Sequence, residues 1–177
     1  MSNLRLINET EITSSQSSTS ITDVFSADFD IYKITVNGVS TVGTNFTGLD
    51  VRFINSSGSV ISASEYDYAG LEMKTDTSFG ENRNTNQSLL YRGFSISTDQ
   101  APESTASVSY VFNPFDSSSY TFFLSQHFST YYSLERAEKY IGVLTQTNSI
   151  TGFQMLEVNT RPYDSGVIRT YGLRVDT

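Results

Sequence analysis

Residues able to do chemistry are few in this chain. It has one histidine, His127, and no cysteine. Thiolate catalysis, disulfide bridges, cysteine zinc sites, three-histidine metal centres and His–His relays are excluded by composition. His127 titrates near neutrality in an unperturbed setting, so it is a candidate general base. Its nucleophile would have to come from 28 serines, oriented by a carboxylate. No Gly-x-Ser-x-Gly elbow is present to present such a serine. A Ser–His–Asp combination drawn from so many serines has no specificity on paper. His127 is therefore read as a strand-end surface histidine, or one at a subunit contact, and no catalytic residue is assigned.

Carboxylates form two small groups. Asp23, Asp28 and Asp30 lie near Phe25 and Phe29, and Glu65 and Asp67 flank Tyr66. Calcium takes six to eight oxygen ligands, often from such loops, but the regular Asp-x-Asp-x-Asp-Gly spacing is absent. A glycosidase needs two carboxylates facing each other across a cleft, which spacing alone does not supply. Both groups are read as turn residues capping backbone amides. No metal or cofactor is expected. Glycines 38, 43 and 48 recur every five residues but lack the strand–turn–helix context of a phosphate loop. They are read as bends in a loop from Asn37 to Gly48. Arginines are scattered and make no basic track. Asn-x-Ser/Thr triplets at Asn8, Asn45, Asn55 and Asn86 are read as compositional accidents.

Aromatics are the densest feature. Phe122, Phe123, Phe128, Tyr131, Tyr132 and Tyr140 fall within 19 residues. Tyrosines stack on sugars and are enriched in subunit contacts. The phenylalanines are assigned to the core, and Tyr131 and Tyr132 to an interface or ligand.

The elements that would position these groups are strands. Leu49 to Ile54 alternates at period two, with Leu49, Val51 and Phe53 on one side and Asp50 and Arg52 on the other. Ala106, Val108, Tyr110 and Phe112 share one face, and Ser107 and Ser109 the opposite one. Further candidates are Ile31–Val36, closed by an Asn37-Gly38 turn, then Tyr66–Met73, Leu89–Ile96, Tyr120–Gln126, Ile141–Thr145, Phe153–Val158 and Val167–Leu173. Ser133 to Lys139 is a short helix candidate with Ser133 as N-cap. About nine strands with Ser, Asn, Asp and Gly between them predict an all-β, antiparallel, jelly-roll-like β-sandwich.

Composition agrees. Serine and threonine make 49 of 177 residues, and charged residues only 17%. Solubility then comes from hydroxyls and amides. The formal net charge of -8 supplies no basic face for nucleic acid. No apolar run is long enough to span a membrane, and the start lacks the apolar segment of a secretory signal. Thr13 to Ser20 is wholly polar and cannot order itself by apolar burial. Residues 1–24 are therefore expected to be an N-terminal arm or linker, with Leu4, Leu6 and Ile12 as its interface residues, and residues 25–177 the sandwich. On that reading, deleting the arm would leave the sandwich folded and abolish attachment to a partner.

Several stretches resemble a known family. These are Ile150-Thr151-Gly152-Phe153, the run Asp164-Ser165-Gly166 to Tyr171-Gly172-Leu173-Arg174, the opening Val24-Phe25 to Ile34, Leu49-Asp50-Val51-Arg52-Phe53, and Tyr66-Asp67-Tyr68-Ala69. Together they resemble small jelly-roll domains of tailed-bacteriophage structural proteins, over residues 21–174. The resemblance implies a closing hairpin made from the first two stretches. It also implies a non-enzymatic virion protein, assembled in the host bacterial cytoplasm, that forms homo-oligomers, commonly trimers. Its expected role is capsid decoration or cement, with the major capsid protein or a neighbouring virion protein as partner. The alternative is a tail-fibre or receptor-binding module recognising host surface glycans. An enzyme degrading surface polysaccharide is the third class, and it would need a carboxylate pair in a cleft.

Overall fold

A computed structural model describes residues 3–41, 48–76, 79–98, 105–131, 134–157 and 162–174. Among them, thirteen strands follow in chain order. They are β1 (Leu4–Ile12), β2 (Ser18–Ile21), β3 (Ile31–Thr41), β4 (Leu49–Asn55), β5 (Tyr66–Lys74), β6 (Phe79–Gln87) and β7 (Leu90–Phe94). β8 (Ser97–Thr98), β9 (Thr105–Phe112), β10 (Thr121–Tyr131), β11 (Leu134–Leu144), β12 (Ile150–Leu156) and β13 (Tyr163–Leu173) complete the set. The large sheet runs β1-β13-β3-β9-β10-β11-β5-β6, with the short β8 beside β3. The small sheet runs β2-β12-β4-β7. Every pairing is antiparallel except β3 with β8. The order β1-β13-β3 in one sheet repeats as β2-β12-β4 in the other. Three successive strand pairs thus cross from layer to layer, which is the jelly-roll-like arrangement the strand pattern predicts.

The core lies between the sheets. Leu49, Val51 and Phe53 face it from β4, as alternation requires, and Phe94, Phe153 and Met155 join them. Phe25 packs edge-on to Tyr32 with ring centroids 4.7 Å apart. Buried tyrosines need partners for their hydroxyls, and Tyr32, Tyr66 and Tyr163 each find two. The Tyr32 hydroxyl donates to the Ser26 carbonyl and accepts the Ser26 N–H. The Tyr66 hydroxyl donates to the Ile61 carbonyl and accepts the Phe53 N–H. The Tyr163 hydroxyl donates to the Met155 carbonyl and meets Thr19 Oγ1 at 2.8 Å. Tyr32 and Tyr66 therefore pin connecting segments to strands, and Tyr163 on β13 ties the large sheet to β2 and β12 of the small one.

Several expectations are corrected. The first 24 residues are not a detached arm. β1 pairs with β13 from Leu4↔Leu173 to Ile12↔Gly166, and β2 pairs with β12. Ile12 is 3% exposed and, with Ile21 and Val24, is core rather than interface. The serine-rich stretch between β1 and β2 is held through its backbone: Gln16 exchanges both hydrogen bonds with Tyr163, and the Ser17 carbonyl accepts from Glu157. Polar residues order here because a neighbouring strand satisfies their amides, which compensates for the missing apolar burial.

The expected helix over Ser133 to Lys139 does not form among the described residues, which exclude Ser133. Its described part lies in β11, where Arg136, Glu138 and Tyr140 face inward at period two. Asn37-Gly38 is no turn. β3 continues through it, and Gly38 (φ +64°) with Val39 forms a bulge opposite Gly166 (φ +132°). Both positions need the positive φ that glycine tolerates. The described part of the expected 37–48 loop is thus strand to Thr41. The expected closing hairpin does not form either, because β12 and β13 belong to different sheets.

Two outcomes follow. Removing residues 1–24 is expected to abolish cooperative thermal unfolding, because it strips two edge strands and three core side chains. An unchanged melting temperature would contradict their structural role. Tyr66→Phe leaves the Phe53 N–H and the Ile61 carbonyl buried without that hydroxyl. It should lose about 1–3 kcal/mol in urea unfolding at unchanged slope.

Candidate functional site

The central strands of the large sheet place their polar residues inward. On β9, Thr105, Ser107, Ser109 and Val111 face the core, while Ala106, Val108, Tyr110 and Phe112 face out. On β10, Thr121, Phe123, Ser125, His127 and Ser129 are buried, and Phe122 and Phe128 are exposed. The phenylalanines thus divide between core and surface instead of all being core. The serines are inside because they are small. They let the chain around β7 lie directly on the sheet, and their hydroxyls bind its backbone. Ser125 Oγ donates to the Gly93 carbonyl at 2.5 Å, and Ser107 Oγ accepts the Ser95 N–H at 3.0 Å. Thr105 Oγ1 accepts the Val39 N–H.

His127 is in the middle of β10 and 5% exposed, so it is neither at a strand end nor on the surface. Register puts it opposite Glu138 on β11. His127 Nε2 lies 2.5 Å from Glu138 Oε2, and Nδ1 lies 3.4 Å from Ser125 Oγ. Serine, histidine and carboxylate are therefore in line. However, Ser125 is fully buried, and its one proton is committed to the Gly93 carbonyl. This arrangement serves as an internal strut. It offers an incoming substrate no exposed hydroxyl.

Glu138 is also the hub of an ion network. Arg92 Nη1 lies 2.9 Å and Arg136 Nε 2.7 Å from Glu138 Oε1. Arg136 also pairs with Glu72, which Lys74 approaches at 3.4 Å. Burial opposes the charge on Glu138, but His127, Arg92 and Arg136 outweigh it and hold the carboxyl below its ordinary value. Aromatic rings wall the network: Tyr140 stacks on His127 at 6.0 Å, and Tyr91 meets Tyr140 edge-on. Gly70 makes room, since a Cβ there would collide with the Tyr140 ring. Arg92 itself adopts φ +49°, unusual for a non-glycine residue. That conformation lets its side chain join the network while its N–H reaches Asp50 Oδ1 at 2.8 Å. Asp50, on the side of β4 away from Leu49 and Val51, is 2% exposed. Burial, reinforced by nearby Glu157, pushes its carboxyl up to about 7.

The opposite face of the same strands is apolar and open. Ten large apolar side chains are exposed among the described residues. Eight belong to this one face. Ile141, Leu71 and Phe128 are 56%, 60% and 51% exposed, and Phe122, Met73 and Phe79 surround them. Leu4 and Leu6 complete the eight on β1, opposite Leu173 and Tyr171. Phe115 and Tyr120 lie in the β9–β10 connection instead. Cross-strand register aligns these residues into rows. One row runs Ala69, Ile141, Leu124, Tyr110, Lys33, and the next Leu71, Lys139, Gln126, Val108, Thr35. Two open grooves cross the face. One of about 840 Å³ lies beside Phe122, Ile141 and Arg83, and one of about 690 Å³ beside Phe128, Tyr110 and Lys139.

No family model, curated protein or solved structure matches this chain.

Of the residues expected at an interface, Leu4 and Leu6 lie on this open face and Ile12 does not. Tyr132 is outside the described residues, and only the backbone of Tyr131 is described. Among the described residues no group of three or more His, Asp or Glu side chains is placed to hold a metal ion. The ion network and the apolar outer rows were both missed by sequence reasoning. The pairing of His127 with Glu138 depends on strand register, which sequence does not display. The outer rows were visible as an alternation whose direction was undetermined.

Asp50 and Glu138 act in opposite senses on stability. The folded protein keeps a proton on Asp50 that the unfolded chain releases near pH 4. Asp50 therefore favours folding at low pH, and this contribution is lost as pH rises through about 7. Glu138 favours folding above its ordinary value and loses that contribution as pH falls through its depressed one. Asp50→Asn should flatten the fall in melting temperature between pH 5 and pH 8. An unaltered pH profile would show that Asp50 is ionised in the fold. Glu138→Ala should destabilise by about 3–5 kcal/mol in urea unfolding, since it removes the carboxylate that His127, Arg92 and Arg136 share in the interior.

Proposed function

We propose that the protein is a non-enzymatic structural subunit, built into a larger protein assembly. In the reading the resemblance favours, that assembly is a tailed-bacteriophage virion put together in the bacterial cytoplasm. Its role there is capsid decoration, cementing contacts between capsid subunits, with the major capsid protein as neighbour.

One observation carries the assembly reading. Eight of the ten exposed large apolar side chains among the described residues share one sheet face. Soluble monomers rarely expose contiguous apolar patches beyond a few hundred Å², and larger ones mark protein contacts. A sheet whose interior is occupied by a rigid hydrogen-bonded network suits a load-bearing part. The chain's low charge and hydroxyl-rich surface suit close association with other proteins.

A second reading is the receptor-binding module. The groove beside Phe112 and Phe122 favours it, because Asp67, Arg83 and Asn84 line the same groove. Aromatic faces with flanking carboxylate and amide groups can hold a sugar.

Electron cryomicroscopy of intact particles separates these readings. Density between capsomers is expected. Density at a tail or fibre tip would overturn the cement role in favour of receptor recognition. Absence from the particle would overturn both.

A further inference from the structure

We infer that the outer face of the large sheet is covered by a second copy of this chain. The two sheets pack face to face about a two-fold axis that crosses the strands between the Ile141–Leu124 row and the Lys139–Gln126 row. This inference rests on the assembly reading and names the occupant of that face.

Size is the first argument. Eight strands spaced about 4.8 Å apart, with seven residues of about 3.4 Å rise, cover roughly 900 Å². A stable interface needs about 800 Å² from each partner. The face is thus large enough to hold a pair without help from other surfaces.

Chemistry is the second. Between Ala69 and Met73, Ala137 and Val143, Phe122 and Phe128, and Ala106 and Phe112, the outward positions carry a single charge, Lys139. Its long stem can lie along apolar surface while the amine reaches the rim. Lys33 on β3 continues one middle row, and towards the two edges lie Arg169 on β13, Glu9 on β1, and Arg83 and Glu81, two residues apart on the edge strand β6. A centre depleted of charge inside a polar rim is the anatomy of a protein–protein contact.

Self-complementarity is the third argument, and it selects the axis. An isologous contact brings residue i of one copy to residue j of the other, and j to i. Rotation about the stated axis exchanges the two middle rows and the two outer rows. Phe122 of one copy then meets Phe128 of the other, and Val143 meets Ala137. At the rim, Arg83 of one copy meets Glu81 of the other, twice by symmetry. An axis along the strands would instead oppose the β6 and β1 edges and bring Glu81 against Glu9. Aligned stacking of twisted sheets is a common packing mode.

The test uses light scattering on the full chain, with circular dichroism to verify folding. The wild-type protein should be a dimer. Phe128→Glu should be a folded monomer. Glu81→Arg and Arg83→Glu should each weaken association by about tenfold or more, because each puts like charges opposite one another. Mixing these two variants in equal amounts should restore pairing, as every rim contact then joins opposite charges. A wild-type monomer or trimer would overturn the inference. So would a dimer indifferent to Phe128→Glu, or variants that fail to pair on mixing. A monomer that still occupies particles would remove this inference and leave the virion role standing.

Discussion

The register of β10 between β9 and β11 is the constraint on which the rest of the molecule depends. In a strand, side chains alternate between faces, so a slip of one residue would reverse every position. In the observed register, His127 faces Glu138 inside the sandwich, and Phe128 faces Ala137 outside it. The same register places Ser107, Ser109 and Ser125 under the chain around β7. Their hydroxyls bind that backbone directly, which draws the small sheet close. A slipped register would bury Phe122, Leu124 and Phe128 where no room exists. It would also expose the groups that the ion network needs to have buried.

The two faces of the large sheet do different work. The inner face of β10 and β11 is a polar interior in which each charge has an opposite neighbour. Glu138 is held by a histidine and two arginines, and Glu72 links the network outward to Lys74. Such a network stabilises little over an apolar equivalent, because desolvation offsets most of the attraction. It does restrict geometry: a partner-less charge in any alternative packing would be costly. A network of this kind supports one register over others, and rigidity of the sheet follows. The outer face has the reverse character, with apolar side chains that gain nothing from water.

The N-terminal segment shows how backbone pairing substitutes for apolar content. Thr13 to Ser20 has no large apolar side chain, yet it is tied down at Gln16 and Ser17 and leads into β2. Composition made this stretch resemble a linker, because composition reports what side chains can bury. Hydrogen bonds to a distant strand are open to any residue with an N–H and a carbonyl. The same limit explains Ser133 to Lys139. Its residues favour helix locally, but β10 and β5 on either side supply ladder partners along β11, and tertiary pairing prevails.

What the sequence determined by itself was the class of structure: period-two alternation, β-branched and aromatic content, and short polar breaks demand antiparallel strands in two layers. It also determined what chemistry was impossible, since one histidine and no cysteine leave few options. Leu49, Val51 and Phe53 were recognisable as a core face because only one of their two sides is apolar. On β9 and β10 that criterion misleads, because the apolar side is the outer one. Only the tertiary structure decided this. Which face is inside depends on what covers it, and here a close-approaching backbone required small hydroxyls rather than large rings. The meeting of His127 with Glu138, of Arg92 with Asp50, and the gathering of eight exposed apolar side chains on one surface all arise from register across distant strands. A linear sequence carries no record of which residues will stand opposite one another.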